Sequence, residues 1–117
     1  MGIEKRRYPR VKVKFSVEYR GKNIWQNAEI DNISRGGMFI VTEKIEPPGT
    51  NIELIFEVGK TKRKIQVQGV VVWTRTQPQY NQEGKFLPQG MGIQFIKIFP
   101  GEAENFLANL IEEWRNE

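Results

Sequence analysis

The hexapeptide KRRYPR, residues 5–10, sets four cations around a tyrosine and a proline. Side chains alternate along an extended segment, so Arg6 and Arg10, four apart, point the same way. Pro9 restricts Tyr8 to extended geometry and stiffens the stretch. Two guanidinium forks on one side suit a doubly charged, phosphate-bearing ligand. Each can hold phosphate oxygens bidentately, and each can also read the O6/N7 edge of a guanine. Arg7 faces the other way and is a less obvious ligand group. Taken alone, the stretch reads first as a solvated basic arm. A second stretch, DNISRGG at 31–37, lies between two strand-like segments. Asn32 and Ser34 carry short polar side chains that suit turns and can present hydrogen-bonding groups outward. Gly36 and Gly37 allow positive φ and close approach of a ligand to the backbone. An ordinary hairpin turn accounts for each of these residues, but it does not need Asn-x-Ser-x-x-Gly in that order.

Composition narrows the chemistry. The chain has 117 residues, enough for one core, and contains neither cysteine nor histidine. Disulfides, zinc sites, thiol nucleophiles and imidazole bases are therefore excluded. The carboxylates sit singly on strands and helix with no metal-ligand spacing, so neither an enzyme nor a metal or cofactor site is expected. The charge is uneven: residues 1–23 carry +6 and residues 24–117 carry −2, for a net +4. A general nucleic-acid binder spreads its basic face over the fold, so this distribution favours a local anion site instead. No apolar run approaches the roughly 20 residues that a bilayer crossing needs. The N-terminus has no apolar run after its charges, as a secretory signal would. A soluble, cytoplasmic domain without membrane insertion is expected.

The elements that must position these groups are mostly strands. Residues 11–19, VKVKFSVEY, alternate strictly, with Val11, Val13, Phe15, Val17 and Tyr19 on one face. Further strands are predicted at 24–30, 38–42, 51–58, 64–75 and 91–96, with Gly69 marking a bulge or tight bend. EPPGT at 46–50 breaks the sheet, and the Pro- and Gly-rich stretch at 77–90 reads as an exposed loop. Short strands joined by turns suggest an antiparallel barrel or sandwich. The chain then changes period. Ala103, Phe106, Leu107, Leu110, Ile111 and Trp114 form one stripe of an amphipathic helix over about 101–115. Glu102 and Glu104 suit its positive end, whereas Glu112, Glu113 and Glu117 should let its last turn fray. The stripe is expected to cap one opening of a barrel.

In order, Arg6-Arg7-Tyr8-Pro9-Arg10 and Asn32-Ile33-Ser34-Arg35-Gly36-Gly37 resemble the paired R-x-x-x-R and [D/N]-x-S-x-x-G signature of the PilZ domain family. GVVVW at 69–73 and GMGIQF at 90–95 look like that family's later strands. The resemblance implies a mainly β fold, a six-stranded antiparallel PilZ-type β-barrel with a C-terminal α-helix. It divides the chain into a flexible basic ligand-binding arm at 1–11, a barrel at 12–98 and a helix at 100–117. It also implies a receptor for the bacterial second messenger cyclic di-GMP. Arg6 and Arg10 would then grip phosphate and guanine, Asn32 and Ser34 would contact a guanine or the backbone, and Gly37 would keep the turn open. Family members take one ligand or a stacked pair, and Lys5, just before the first arginine, leans towards the pair. Asn32 stands where many members have Asp.

Other residues invite roles that simpler accounts also cover. Trp73 could stack on a base, although a core or rim aromatic is the commoner fate. Arg35 and Arg7 could add phosphate contacts. Lys60, Lys62, Arg63 and Lys64 form a basic turn that reads as a solvated hairpin tip. The arm should be mobile without ligand and fold across the barrel when phosphates neutralise it. That would alter the surface offered to an unidentified downstream protein, with the reordered arm and the Trp114 helix as candidate contacts and a monomer or weak dimer as the assembly. Two alternatives stand beside this: a PilZ-like adaptor for pilus or motility assembly that binds no nucleotide, and a basic nucleic-acid-binding domain.

Overall fold

The computed structural model describes residues 10–13, 15–21 and 25–116. Lys5, Arg6 and Arg7 of the basic arm lie outside the described residues. The predicted strand at 11–19 is two pieces, β1 (Val11–Lys12) and β2 (Ser16–Arg20), and both pair antiparallel with β3 (Trp25–Ser34). Its alternation persists, since Val17 and Tyr19 are buried and Val11, Val13 and Phe15 pack against the core from its rim. Strand β4 (Gly37–Val41) returns along β3, and β5 (Asn51–Val58) and β6 (Arg63–Arg75) form a long hairpin. The stretch expected to be a plain loop instead contains a small hairpin of β7 (Gln79–Tyr80) and β8 (Phe86–Leu87). Strand β9 (Gly90–Phe99) follows.

The strands close on themselves. Around the ring the order is β3, β2, β5, β6, β9 and β4, and β4 pairs back onto β3, which makes a closed six-stranded antiparallel barrel. Closure satisfies the backbone donors and acceptors that a free edge would leave open. Period-two patterning fills the inside: Ile52, Leu54, Phe56 and Val58 from β5 meet Ile65, Val67 and Val71 from β6. Tyr19 is fully buried, and its hydroxyl donates to the Lys44 carbonyl and accepts from Thr42 Oγ1, each at 2.8 Å.

Helix α1 (Ala103–Arg115) lays Ala103, Leu107 and Ile111 into the same core. Full burial of a leucine such as Leu107 contributes about 1.5–3 kcal/mol. Trp114 packs on Phe15, ring centroids 6.1 Å apart, and Phe15 in turn on Phe56 at 5.6 Å. The apolar stripe is therefore covered by the barrel. The last turn does not lack a cation: Arg115 sits there and pairs with Glu112 at 2.9 Å.

Two bulges set the direction of side chains near the β3–β4 turn. Ile30 pairs with Ile40 and Asn32 with Phe39, so Asp31 is the extra residue on β3. That extra residue lets Ile30 and Ile33 both be buried despite their spacing of three, and it puts Asn32 and Ser34 on the opposite side of the strand, where Arg10 covers them. On β6, Val71 pairs with Ile93 and Trp73 with Gly92, which makes Val72 the extra residue and leaves Trp73 outside. Gly69 stands beside a third irregularity, as its sequence position suggested, opposite a break in the β9 register.

Two outcomes test this packing. A Cβ on Gly37 would fall on the Ile93 carbonyl oxygen of β9, far inside contact distance. Gly37→Ala should therefore cost about 1–3 kcal/mol, measured as a lower urea midpoint with an unchanged slope. Burial, and secondarily the charge of Glu46, raise the Tyr19 phenol above its ordinary value of 10.0, with the Thr42 hydrogen bond opposing. A raised folded-state value means the protonated phenol is the form the fold favours. Its contribution is complete below about pH 10 and is lost as pH rises through the folded value. Urea midpoints of wild type should fall above pH 10 more steeply than those of Tyr19→Phe.

Candidate functional site

Because the Asp31 bulge sends Asn32 and Ser34 outward, both reach the residue that precedes β1. Arg10 Nε donates to Asn32 Oδ1 at 2.5 Å, and Arg10 Nη1 approaches Ser34 Oγ at 3.5 Å. Ser34 is almost fully buried, and its hydroxyl also accepts the Gly36 N–H at 3.2 Å, a local bond that fixes the hairpin turn. Asn32 Nδ2 donates to Asp31 Oδ2 at 3.0 Å, and Asp31 lies 3.8 Å from Lys12 Nζ. The chain Lys12–Asp31–Asn32–Arg10–Ser34 thus holds two cations and one carboxylate in a fixed order. Asn32 and Ser34, expected in a turn, stand on the end of β3 itself, where a paired strand limits their movement.

A cleft of about 400 Å³ opens beside this chain, within the range of small-ligand sites. Arg10, Lys12, Asp31 and Asn32 line one side, and Phe39, Trp73 and Arg75 form its floor. The Phe39 and Trp73 rings stack with centroids 5.1 Å apart and planes 21° from parallel. Arg75 sits over both, 5.3 Å from the Phe39 centroid and 5.2 Å from that of Trp73. Trp73 remains 44% exposed, and it lies so closely over Gly92 that a Cβ there would overlap the indole. A glycine on the neighbouring strand is what allows the ring to lie down.

Of the residues singled out in the sequence, Asn32 and Ser34 are both brought to Arg10, and Arg10, Asn32 and Trp73 line one cleft. Gly37 pairs with Ser34 across the turn and faces β9. Arg35 occupies the exposed turn itself. Sequence reasoning passed over Phe39, Arg75, Lys12 and Asp31. Trp-x-Arg at 73–75 was the readable signal for Arg75, because residues two apart on a strand share a face. The bulges at Asp31 and Val72 left no mark in composition. Among the described residues, no cluster of three or more acidic side chains could hold a metal ion, and no helix is long and apolar enough to cross a membrane.

Comparison with known proteins gives the fold a family. The PilZ domain matches residues 4–113. Among solved structures, the PilZ domain of YcgR from Escherichia coli, determined with c-di-GMP, superposes with a TM-score of 0.71 at 14% identity, covering 97% of this chain and 93% of that one. The Bacillus subtilis inhibitor of motility MotI (DgrA) superposes with a TM-score of 0.77 at 19% identity, covering 97% of this chain. This chain spans about half of MotI, 52% of its length. No curated protein matches by sequence. Identities this low speak for the fold alone, but the family match runs from the basic arm into the last turns of α1. The chain belongs to the PilZ domain family.

Proposed function

We propose that this domain is a cytoplasmic receptor for cyclic di-GMP, acting by binding rather than catalysis and passing the signal to a protein partner. One observation carries the reading: Arg10 is held by Asn32 and Ser34 at the rim of a cationic cleft floored by stacked aromatics. A guanidinium already oriented by two side chains loses less freedom on meeting a phosphate than one on a free chain. The half-exposed Trp73 ring beside it, backed by the buried Phe39, suits a nucleobase, and base–aromatic stacking contributes about 1–3 kcal/mol per base. In this reading Arg6 supplies the second fork and Gly37 keeps the β3–β4 turn packed tightly enough to present Ser34. Lys5, Arg7 and Arg35 would add charge around the phosphates, and Lys5 favours a stacked pair of ligands. The YcgR PilZ domain, solved with c-di-GMP, supports the ligand class.

A second reading has its own observation. The likeness to MotI, an inhibitor of motility, fits an adaptor that meets a motility protein without nucleotide. The two separate in one experiment. Calorimetric titration of cyclic di-GMP into the full chain should give saturable binding, with one or two ligands per chain, and cyclic di-AMP should bind far more weakly. Arg10→Ala should weaken the interaction at least about tenfold, the scale of one charge-assisted hydrogen-bonding group. Wild type that takes up no cyclic di-GMP would overturn the receptor reading and leave the adaptor. Equal affinity for guanine and adenine dinucleotides, falling steeply with salt, would instead point to general nucleic-acid binding.

A further inference from the structure

The hairpin between β6 and β9 is larger than the barrel requires. Arg75 and Gly90 are paired neighbours on adjacent antiparallel strands, a gap that a turn of about two residues can close. Residues 76–89 leave the barrel there and return as a hairpin with its own order. Asn81 Oδ1 accepts the N–H groups of Glu83 and Lys85, each at 2.9 Å, and the Asn81 carbonyl accepts from Gly84 N–H at 2.9 Å. Tyr80 meets Phe86 edge-on across the two strands, centroids 5.5 Å apart. At its base, Arg75 Nη1 donates to the Pro88 carbonyl at 2.8 Å, so the arginine above the Phe39–Trp73 stack also ties down the hairpin.

This hairpin supplies the other side of the cleft, through Lys85, Phe86, Leu87 and Pro88. Phe86 is 51% exposed there, at the edge of a cleft that already holds Arg10, Lys12 and Arg75. Pairing with Tyr80 needs only an apolar side chain at position 86, so it does not account for a half-exposed ring in polar surroundings. We infer that the 76–89 hairpin is the second wall of a purine-dinucleotide site, with Phe86 covering a base and Lys85 meeting a phosphate. The inference rests on the receptor reading above and adds to it residues outside both signature motifs. A ring on the hairpin complements the Trp73 face on the barrel, and among the described lining residues Lys85 joins three other cations and the one carboxylate of Asp31.

The test uses the full chain and cyclic di-GMP by calorimetry, at low and at physiological salt. Phe86→Leu keeps an apolar partner for Tyr80 while removing the flat ring, and should weaken binding about tenfold, the size expected for loss of one base stack. Lys85→Gln should weaken it about threefold at low salt, with the difference shrinking as salt screens the phosphate. Lys60→Gln, an exposed lysine on the β5–β6 turn, should bind as wild type does. Wild-type binding that neither Phe86→Leu nor Lys85→Gln diminishes would overturn the inference while leaving the receptor reading intact. Equal losses from Lys85→Gln and Lys60→Gln would reduce the lysine's part to net charge and overturn that assignment. Absence of any wild-type binding would overturn both readings together.

Discussion

One extra residue in a strand governs where this domain can do chemistry. In a closed barrel every strand must send alternate side chains inward, and a regular β3 could not bury both Ile30 and Ile33. The bulge at Asp31 resolves the conflict by shifting the phase of the strand. The inside gains a second isoleucine, and the outside gains Asn32 and Ser34 on one face. Arg10 can then be gripped by two side chains from a paired strand instead of from a loose turn. The same device on β6, at Val72, brings Trp73 out to the same region. Core packing and site geometry are therefore fixed by the same backbone irregularities, and neither can be altered alone.

Much of this was legible in the chain itself. Strict alternation in VKVKFSVEY and NIELIFEV announced strands, and the change to a three–four spacing after Pro100 announced the helix. The order of the two short motifs pointed to the family, and Arg10, Asn32 and Ser34 do converge. What stayed hidden depended on register. Whether Asn32 sits on a strand or in a turn is decided by which residue of β4 it faces, and Phe39 is distant in the one-dimensional pattern from Trp73, on which it stacks. The stretch at 77–90 looks like loop in the sequence because the hairpin's strands are two residues each and its Pro and Gly content resembles punctuation. An Asn81 side chain closing two backbone bonds cannot be told from any other asparagine before its neighbours are known.

The electrostatics of the site follow from this crowding of cations. Among the described residues, Arg10, Lys12, Arg75 and Lys85 line a cleft with one carboxylate, Asp31. Asp31 is shared between Lys12 and the Asn32 amide, and Arg75 rests on two ring faces while donating to Pro88. An arrangement of that kind is most favourable when a multivalent anion enters it. The aromatic floor limits which anion gains most, because a bare phosphate has no face to lay against Trp73.

The two-residue strand β1 has a consequence for how far an event at the cleft can travel. It follows Arg10 directly, pairs with Ile33 and Asn32, and also lies against α1. Beyond it, Phe15 links Trp114 of the helix to Phe56 inside the barrel. The residue after the arginine is thus already part of a strand that touches both the sheet and the helix. From the cleft to the helix, the path along the chain is one side chain and two residues of extended backbone. Arg10 and the helix are thus joined through a paired strand.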